Sequence, residues 1–304
     1  MTDITIISGF LGAGKTTFAN LLLDYFLRMG EKTAYVVNEF GQVGLDAALL
    51  EKKGFQTVDI FGGCICCTLR GKIKDALHEV IEEFAPSRIV FEPSGIFVFD
   101  GFAEVLEDPF LKEYCLIDSV LTVVDSCHLN KGMFVPGNFF ANQIENADAL
   151  VVSKLETCAD DIDALSKKLH GLNRRADVVT KPWSSLTDRD FVSLVYGGGR
   201  RNFVSEAPAH GHAHVDSVTI CPKEIDAEAV RLLGGLLKED FFGTIYRVKG
   251  KVLYCGEPRL MQIAFDELRM DEETPDGADS LTFIGRDLQE RRIREFFCKD
   301  LRTE

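Results

Sequence analysis

Residues 9–16 read Gly-Phe-Leu-Gly-Ala-Gly-Lys-Thr, which satisfies the pattern G-x-x-x-x-G-K-[ST]. A β-branched run at 4–7 precedes this turn, and a helical pattern at 16–28 follows it, with Leu21, Leu22, Tyr25 and Phe26 on its apolar face. Strand, glycine turn and helix in that order predict a phosphate-binding loop at the end of a sheet strand. Glycines let successive backbone N–H groups point inward around a phosphate, where a Cβ would block the approach. The helix N-terminus adds its dipole. Gly12, Ala13 and Gly14 are expected to form the cradle, Lys15 to reach the β- and γ-phosphates, Thr16 to ligate Mg²⁺ through its hydroxyl, and Thr17 to contact the α-phosphate. The pattern speaks for a nucleoside triphosphate and is silent about the base.

Further strand-like runs lie at 33–37, 88–91, 119–124 and 149–152, with a weaker one at 177–180. Helical stretches at 71–84, 102–112, 138–147 and 160–172 fall between them. This alternation predicts an α/β fold, a doubly wound and mainly parallel sheet of the P-loop NTPase kind with helices on both faces. The pattern fades after about residue 195. Residues 197–214 hold three consecutive glycines, Pro208 and alternating His210, His212 and His214, and read as a linker. From 215 onward, strand candidates at 215–220, 244–248, 251–254 and 280–284 join helix candidates at 227–237 and 288–297. The expected organisation is a P-loop domain over 1–196, a Gly/His linker over 197–214 and a smaller α+β domain over 215–304.

The 304 residues carry 34 basic and 48 acidic side chains, a net charge of −14, with no block of Lys or Arg. That balance argues against nucleic acid and anionic membrane surfaces as partners. The N-terminal residues lack a basic region and cleavage site, and no apolar run approaches membrane-spanning length, so the cytoplasm is the expected compartment. Nine cysteines, an odd number in a chain with no export signal, predict reduced thiols rather than a disulfide framework. Cys64, Cys66 and Cys67 stand in the run Gly-Gly-Cys-Ile-Cys-Cys. Three thiolates from one loop suit Zn²⁺ or another thiophilic metal and leave a fourth position open, as a labile site requires. The competing readings are buried packing residues and a thiol redox switch. Cys115, Cys127, Cys158, Cys221, Cys255 and Cys298 are isolated and read as packed small side chains. His78, His128 and His170 read as surface or helix residues.

A glycine turn of the form GFLGAGKTT joined to GGCICC resembles the CobW-like family of P-loop GTPases, relatives of the urease and hydrogenase nickel-insertion GTPases. The resemblance extends over nearly the whole chain. Asn38-Glu39-Phe40-Gly41, with Gly44 and Asp46, is similar to the family's switch I segment. Glu92-Pro93-Ser94-Gly95 stands where the family carries its version of Walker B, with Pro93 as a departure. Asn142-Gln143-Ile144, Asn146-Ala147-Asp148 and Val151-Val152-Ser153-Lys154 resemble the run into base recognition. Tyr246-Arg247-Val248-Lys249-Gly250 and Ile284-Gly285-Arg286 resemble the family's C-terminal domain. The resemblance implies GTP hydrolysis coupled to delivery of a metal, Zn²⁺ or Co²⁺, to a client metalloenzyme. It implies metal-binding thiols at Cys64, Cys66 and Cys67, nucleotide sensing by Glu39 and Asp46, with Asp46 also at Mg²⁺, and Glu92 near Mg²⁺ or the attacking water. A homodimer is allowed, though no residue pattern specifies one.

The base-reading segment departs from Asn-Lys-x-Asp and reads Ser153-Lys154-Leu155-Glu156. A Glu156 carboxylate can still accept both N1–H and N2–H of guanine, one methylene farther out. Ser153 lacks the amide that reads N7, which opens the site to ATP; Lys154 can lie along the base. In an extended chain His210, His212 and His214 fall on one side and could capture a metal, or they belong to a polar linker. Two other functions fit the same turn: a small-molecule kinase, and a redox-sensing nucleotide-binding regulator.

Overall fold

A computed structural model describes residues 1–39, 55–61, 67–132, 138–158, 161–197, 215–264, 267–272 and 279–298. The chain divides into two compact units, one carrying the described residues up to 197 and the other those from 215 onward.

The first unit begins with β1 (Thr2–Gly9), α1 (Lys15–Arg28), β2 (Thr33–Glu39) and β3 (Gln56–Phe61). Helix α2 (Cys67–Glu79) runs on through a π-turn at Val80–Phe84 into β4 (Arg88–Glu92). There follow α3 (Phe99–Leu106), α4 (Pro109–Tyr114), β5 (Cys115–Asp125), α5 (Leu129–Gly132), α6 (Phe139–Glu145) and β6 (Ala149–Ser153). The unit closes with α7 (Leu155–Cys158), α8 (Ile162–Leu172), β7 (Asp177–Val179) and α9 (Asp188–Tyr196). Its seven strands order as β3-β2-β4-β1-β5-β6-β7, and every pairing is parallel. One apolar core gathers Ile4, Leu77, Phe91 and Phe102; another gathers Ile7, Phe18, Phe26 and Leu194. Side chains alternate across a strand, so Ile6 and Ile7 feed opposite cores and the sheet is buried on both faces.

The predicted α/β fold is the one observed, with three local differences. Strand β3 does not stand out in the sequence, because it opens on Gln56 and Thr57, and Asp59 interrupts its few apolar residues; pairing with β2 from Ala34↔Gln56 to Glu39↔Phe61 makes it a strand. The stretch at 102–112 is two helices. Asp108 ends the first and caps the second, accepting from the backbone N–H groups of Phe110 and Leu111, with Pro109 at the first turn. Helix α9 is not among the expected stretches; Thr187 and Asp190 form a capping box ahead of Phe191, Leu194 and Val195.

The second unit comprises β8 (Asp216–Ile220), α10 (Ala227–Lys238), β9 (Thr244–Tyr254), β10 (Glu257–Ala264), β11 (Glu267–Asp271), β12 (Ser280–Arg286) and α11 (Glu290–Cys298). Its strands form an antiparallel sheet ordered β11-β10-β9-β12-β8, whose core includes Leu233, Phe242, Val248, Met261, Phe283 and Ile293. The two strands expected at 244–248 and 251–254 are one, since Lys249 and Gly250 stay in the ladder opposite Thr282 and Leu281. Among the described residues no helix is long and apolar enough to cross a membrane.

The amino-terminal end of the large sheet is closed by a buried arginine. Arg88, 2% exposed, donates to Thr5 Oγ1 at 2.8 Å, Glu31 Oε2 at 2.8 Å and the Tyr196 hydroxyl at 3.1 Å, and pairs with Asp118. Burial pushes the Asp118 carboxyl up, and the Arg88 cation opposes that shift. Removing one partner of such a pair strands the other charge. Arg88→Met is therefore expected to destabilise this unit by about 3–5 kcal/mol, with Arg88→Met/Asp118→Leu recovering part of the loss. Urea unfolding of the variants checks this; a loss for Arg88→Met within about 0.5 kcal/mol, ordinary for a surface substitution, would remove the claim.

Candidate functional site

In a parallel sheet all strands end at one edge, and ligands bind outside the carboxyl ends where the strand order reverses. Here that point is β1, flanked by β4 and β5. The glycine turn leaves β1 at this edge. Gly12 and Gly14 take φ of 77° and 96°, left-handed values that a side chain would strain, and Gly14 stands at the N-cap of α1. The N–H groups at the start of α1 therefore face the concavity of the loop. Lys15 is buried and its Nζ folds back to 3.5 Å from the Phe10 carbonyl oxygen. Thr17 is exposed on the first turn.

Glu92, the last residue of β4, meets this loop. It is 5% exposed, and its Oε1 accepts from the Thr16 hydroxyl at 2.9 Å, while Oε2 accepts from the Tyr35 hydroxyl. A Thr16 hydroxyl that donates to a carboxylate keeps its lone pairs turned the other way. The pair thus presents hard oxygen donors with one negative charge, the donor set that Mg²⁺ takes. Tyr35, on β2, is a member of this cluster that sequence reasoning missed, because a tyrosine in a strand reads as core.

At the far side of β1, the chain leaving β6 builds a pocket of about 300 Å³ lined by residues 152–157 together with Pro182, Trp183 and Ser184. The Ser153 hydroxyl turns inward to the Val124 carbonyl oxygen at 3.3 Å. Lys154 has φ 57°, and its Nζ is fixed 2.5 Å from Asp125 Oδ2. Asp125 in turn accepts from the Cys127 backbone N–H at 2.9 Å and contacts His128 Nδ1 at 2.9 Å. Glu156 is exposed at the mouth. Trp183 donates through Nε1 to the Val152 carbonyl oxygen at 3.0 Å and lies against Phe18 with ring centroids 5.3 Å apart. A Cβ built on Gly14 would stand 3.2 Å from the indole and 4.0 Å from the Ser153 Cβ. The pocket and the glycine turn therefore adjoin, with Trp183 between them. Trp183 follows the weak strand β7 at the same edge, and that position is the signal that could have found it.

The described residues bring Gly12, Ala13, Gly14, Lys15, Thr16, Thr17 and Glu92 to one place, and Ser153, Lys154 and Glu156 to the adjoining one. Glu39 ends β2 opposite Phe61 of β3, and Cys67 opens α2; their side chains lie outside the described residues. Asp46, Cys64, Cys66, His210, His212 and His214 also lie outside them. His128 is no surface residue: it is buried against Asp125. Among the isolated cysteines, burial pushes the Cys115 thiol up to about 12, as expected of a packed side chain, whereas Cys221 and Cys255 are exposed. Cys127 is disulfide-bonded, against the expectation of reduced thiols throughout.

Residues 3–180 match the model of the CobW/HypB/UreG nucleotide-binding domain. The zinc chaperone YjiA of Escherichia coli is 30% identical, over 97% of this chain and 97% of its own. The zinc-regulated GTPase metalloprotein activator 1 of Schizosaccharomyces pombe is 27% identical, over 61% of this chain and 47% of its own. A crystal structure of Zn(II)-bound YjiA GTPase from E. coli aligns over 98% of both chains with 23% identity and a TM-score of 0.48.

Proposed function

This chain belongs to the CobW/HypB/UreG family, and from that premise we propose that it is a GTP-hydrolysing metallochaperone that loads a thiophilic divalent metal into a client metalloenzyme. The observation that carries the proposal is topological. The strand that ends in the glycine turn, the strand that ends in Glu92, the strand that ends in Glu39 and the strand that leads toward Cys64 are β1, β4, β2 and β3, adjacent and parallel in the sheet. All four deliver their carboxyl ends to one edge, and at ordinary strand spacing β3 lies roughly 15 Å from β1.

On this reading Lys15 and the N–H groups of 12–17 hold the triphosphate, and Thr16 with Glu92 holds Mg²⁺. When bound, Mg²⁺ neutralises charge on the phosphate oxygens. Glu92 fixes the Thr16 hydroxyl and, at the end of β4, orients a water toward the γ-phosphate side. Lys154, pinned by Asp125, presents its aliphatic stem to the purine. Glu156 accepts from guanine N1–H and N2–H, and Trp183 closes the pocket. The cargo is bound by the thiolates of Cys64, Cys66 and Cys67. The names of the relatives favour Zn²⁺. A thiolate site of this kind needs its own three cysteines reduced.

If the sulfurs respond to the nucleotide, the two affinities are linked reciprocally. Zn²⁺ is expected to bind about tenfold more tightly with a non-hydrolysable GTP analogue and Mg²⁺ than with GDP, and the Cys66→Ala/Cys67→Ala variant is expected to lose both the binding and the difference. Competition titration against a chromophoric zinc chelator measures it. Equal affinity in the two nucleotide states would end the coupling, and undiminished binding by the double variant would end the assignment of the sulfurs.

A further inference from the structure

The residues 142–143 on α6 take no part in the site just proposed, yet they grip the segment that leaves Glu92. Gln143 is 1% exposed, and its Nε2 donates to two carbonyl oxygens of that segment, Gly95 at 3.0 Å and Phe97 at 3.0 Å. Next to it, Asn142 Oδ1 accepts from the Phe99 backbone N–H at 3.0 Å. Two consecutive side chains thus bind three alternate residues, two in the segment after β4 and one at the start of α3.

The loop they hold is pressed against the glycine turn. A Cβ on Gly95 would stand 2.6 Å from the Leu11 nitrogen and 2.8 Å from its Cα, so the backbone at 95 lies directly on the turn. Helix α6 touches the turn a second time, through Phe140, whose ring meets Phe10 edge-on at 6.2 Å between centroids. The same helix therefore fixes both the phosphate loop and the chain running from Glu92.

The chemistry of Gln143 says which of its groups is needed. Its Oε1 is buried and has no hydrogen-bond partner among the described residues, while both N–H bonds of the amide are committed to the loop. A stranded acceptor is costly in an interior, and an apolar side chain of similar shape would avoid it. The amide is kept there for its donors. Peptide carbonyls that lack a donor turn outward to find one, and at Gly95 that rotation would swing the peptide plane off Leu11.

We infer that Gln143, assisted by Asn142, is a positioning residue for hydrolysis: it holds the peptide planes of 95–97 so that the loop after Glu92 stays seated on the glycine turn. This rests on the reading of Glu92 given above. Gln143 bonds the chain after Glu92 and not the phosphate-holding residues themselves, so its loss is expected to act on turnover more than on binding.

Steady-state GTP hydrolysis by Gln143→Met, Glu92→Gln and Thr122→Val tests it, with amide hydrogen exchange of the 94–99 peptide measured alongside. Thr122 donates to the Gln143 backbone oxygen at 2.8 Å, so its variant loosens the same helix without touching the loop. Gln143→Met is expected to lower kcat about tenfold with KM held within about twofold, and to speed exchange over 94–99. Thr122→Val is expected to keep kcat and exchange near the parent values. Gln143→Asn, which retains the amide one methylene short, is expected to fall between, and it serves the same test if Gln143→Met does not fold. A parent-like kcat in the Gln143 variants, unchanged exchange at 94–99, or an equal fall in Thr122→Val would each overturn the inference. An undiminished rate in Glu92→Gln would instead mark the failure of the Glu92 reading.

Discussion

Lys15→Ala is expected to raise the Kd for GTP by roughly two orders of magnitude, about 2.7 kcal/mol, while the fold stays intact. The Lys15 side chain is buried at the mouth of the glycine turn, and Nζ rests at the long distance of 3.5 Å from a neutral carbonyl oxygen of Phe10. A triphosphate offers charged oxygens in its place, and the exchange strengthens because the site excludes water. Alanine leaves the N–H groups of the turn to hold the phosphates without a countercharge. Lys15→Arg is expected to rescue little, because a planar guanidinium does not fit a pocket shaped around a compact ammonium. The measurement is intrinsic to the chain: Trp183 is its only tryptophan, half-buried at the wall between the pocket at 152–157 and the glycine turn. Its emission is expected to shift on titration with GTP. Saturable GTP binding by calorimetry with Trp183 emission unmoved would exclude it from the base pocket, and parent-like affinity in Lys15→Ala would exclude the lysine from the phosphates.

Glu92→Gln is expected to cost about two orders of magnitude in kcat with little change in GTP affinity. Shape is preserved, so the prediction isolates charge. The parent carboxylate accepts from Thr16 on one oxygen and from Tyr35 on the other. An amide can serve only one of those hydroxyls as acceptor; its NH₂ must point at the second. If the amide oxygen keeps Tyr35, Thr16 loses its acceptor and its hydroxyl proton is free to turn toward the cation position. If it keeps Thr16, the carboxylate charge is still gone. Either way, the ability to orient a water toward the γ-phosphate side falls. Tyr35→Phe, which spares the carboxylate, is a milder change of the same cluster. Single-turnover hydrolysis at saturating GTP and Mg²⁺ reads the effect directly. A rate within about threefold of the parent would move the role of water orientation to another residue.

Much of this was legible in the sequence because it depends on local conformation. The glycine turn needs positive φ at Gly12 and Gly14, and glycine is the residue that accepts it, so eight residues announce a phosphate loop without any partner being known. The alternation of apolar strand and amphipathic helix gave the parallel sheet, since strands buried on both faces read as continuous apolar runs. That Ser153–Glu156 follow an apolar strand at the same edge was also readable, since β6 ends at Ser153.

What escaped the sequence depends on partners far along the chain. Strand β3 exists by pairing with β2; Tyr35 and Glu92 share a hydrogen bond across 57 positions. Gln143 reaches Gly95 over 48 positions, and Trp183 reaches Val152 over 31. A glycine turn built for phosphate and a cluster of three cysteines are legible from neighbours along the chain, because backbone dihedrals and thiolate chemistry are local properties. The folded chain adds that Thr16 and Glu92 form one oxygen pair, that Trp183 walls the pocket at 152–157, and that α6 clamps the segment after Glu92. Those are consequences of strand order, and strand order is set by which apolar faces bury together, not by any residue read alone.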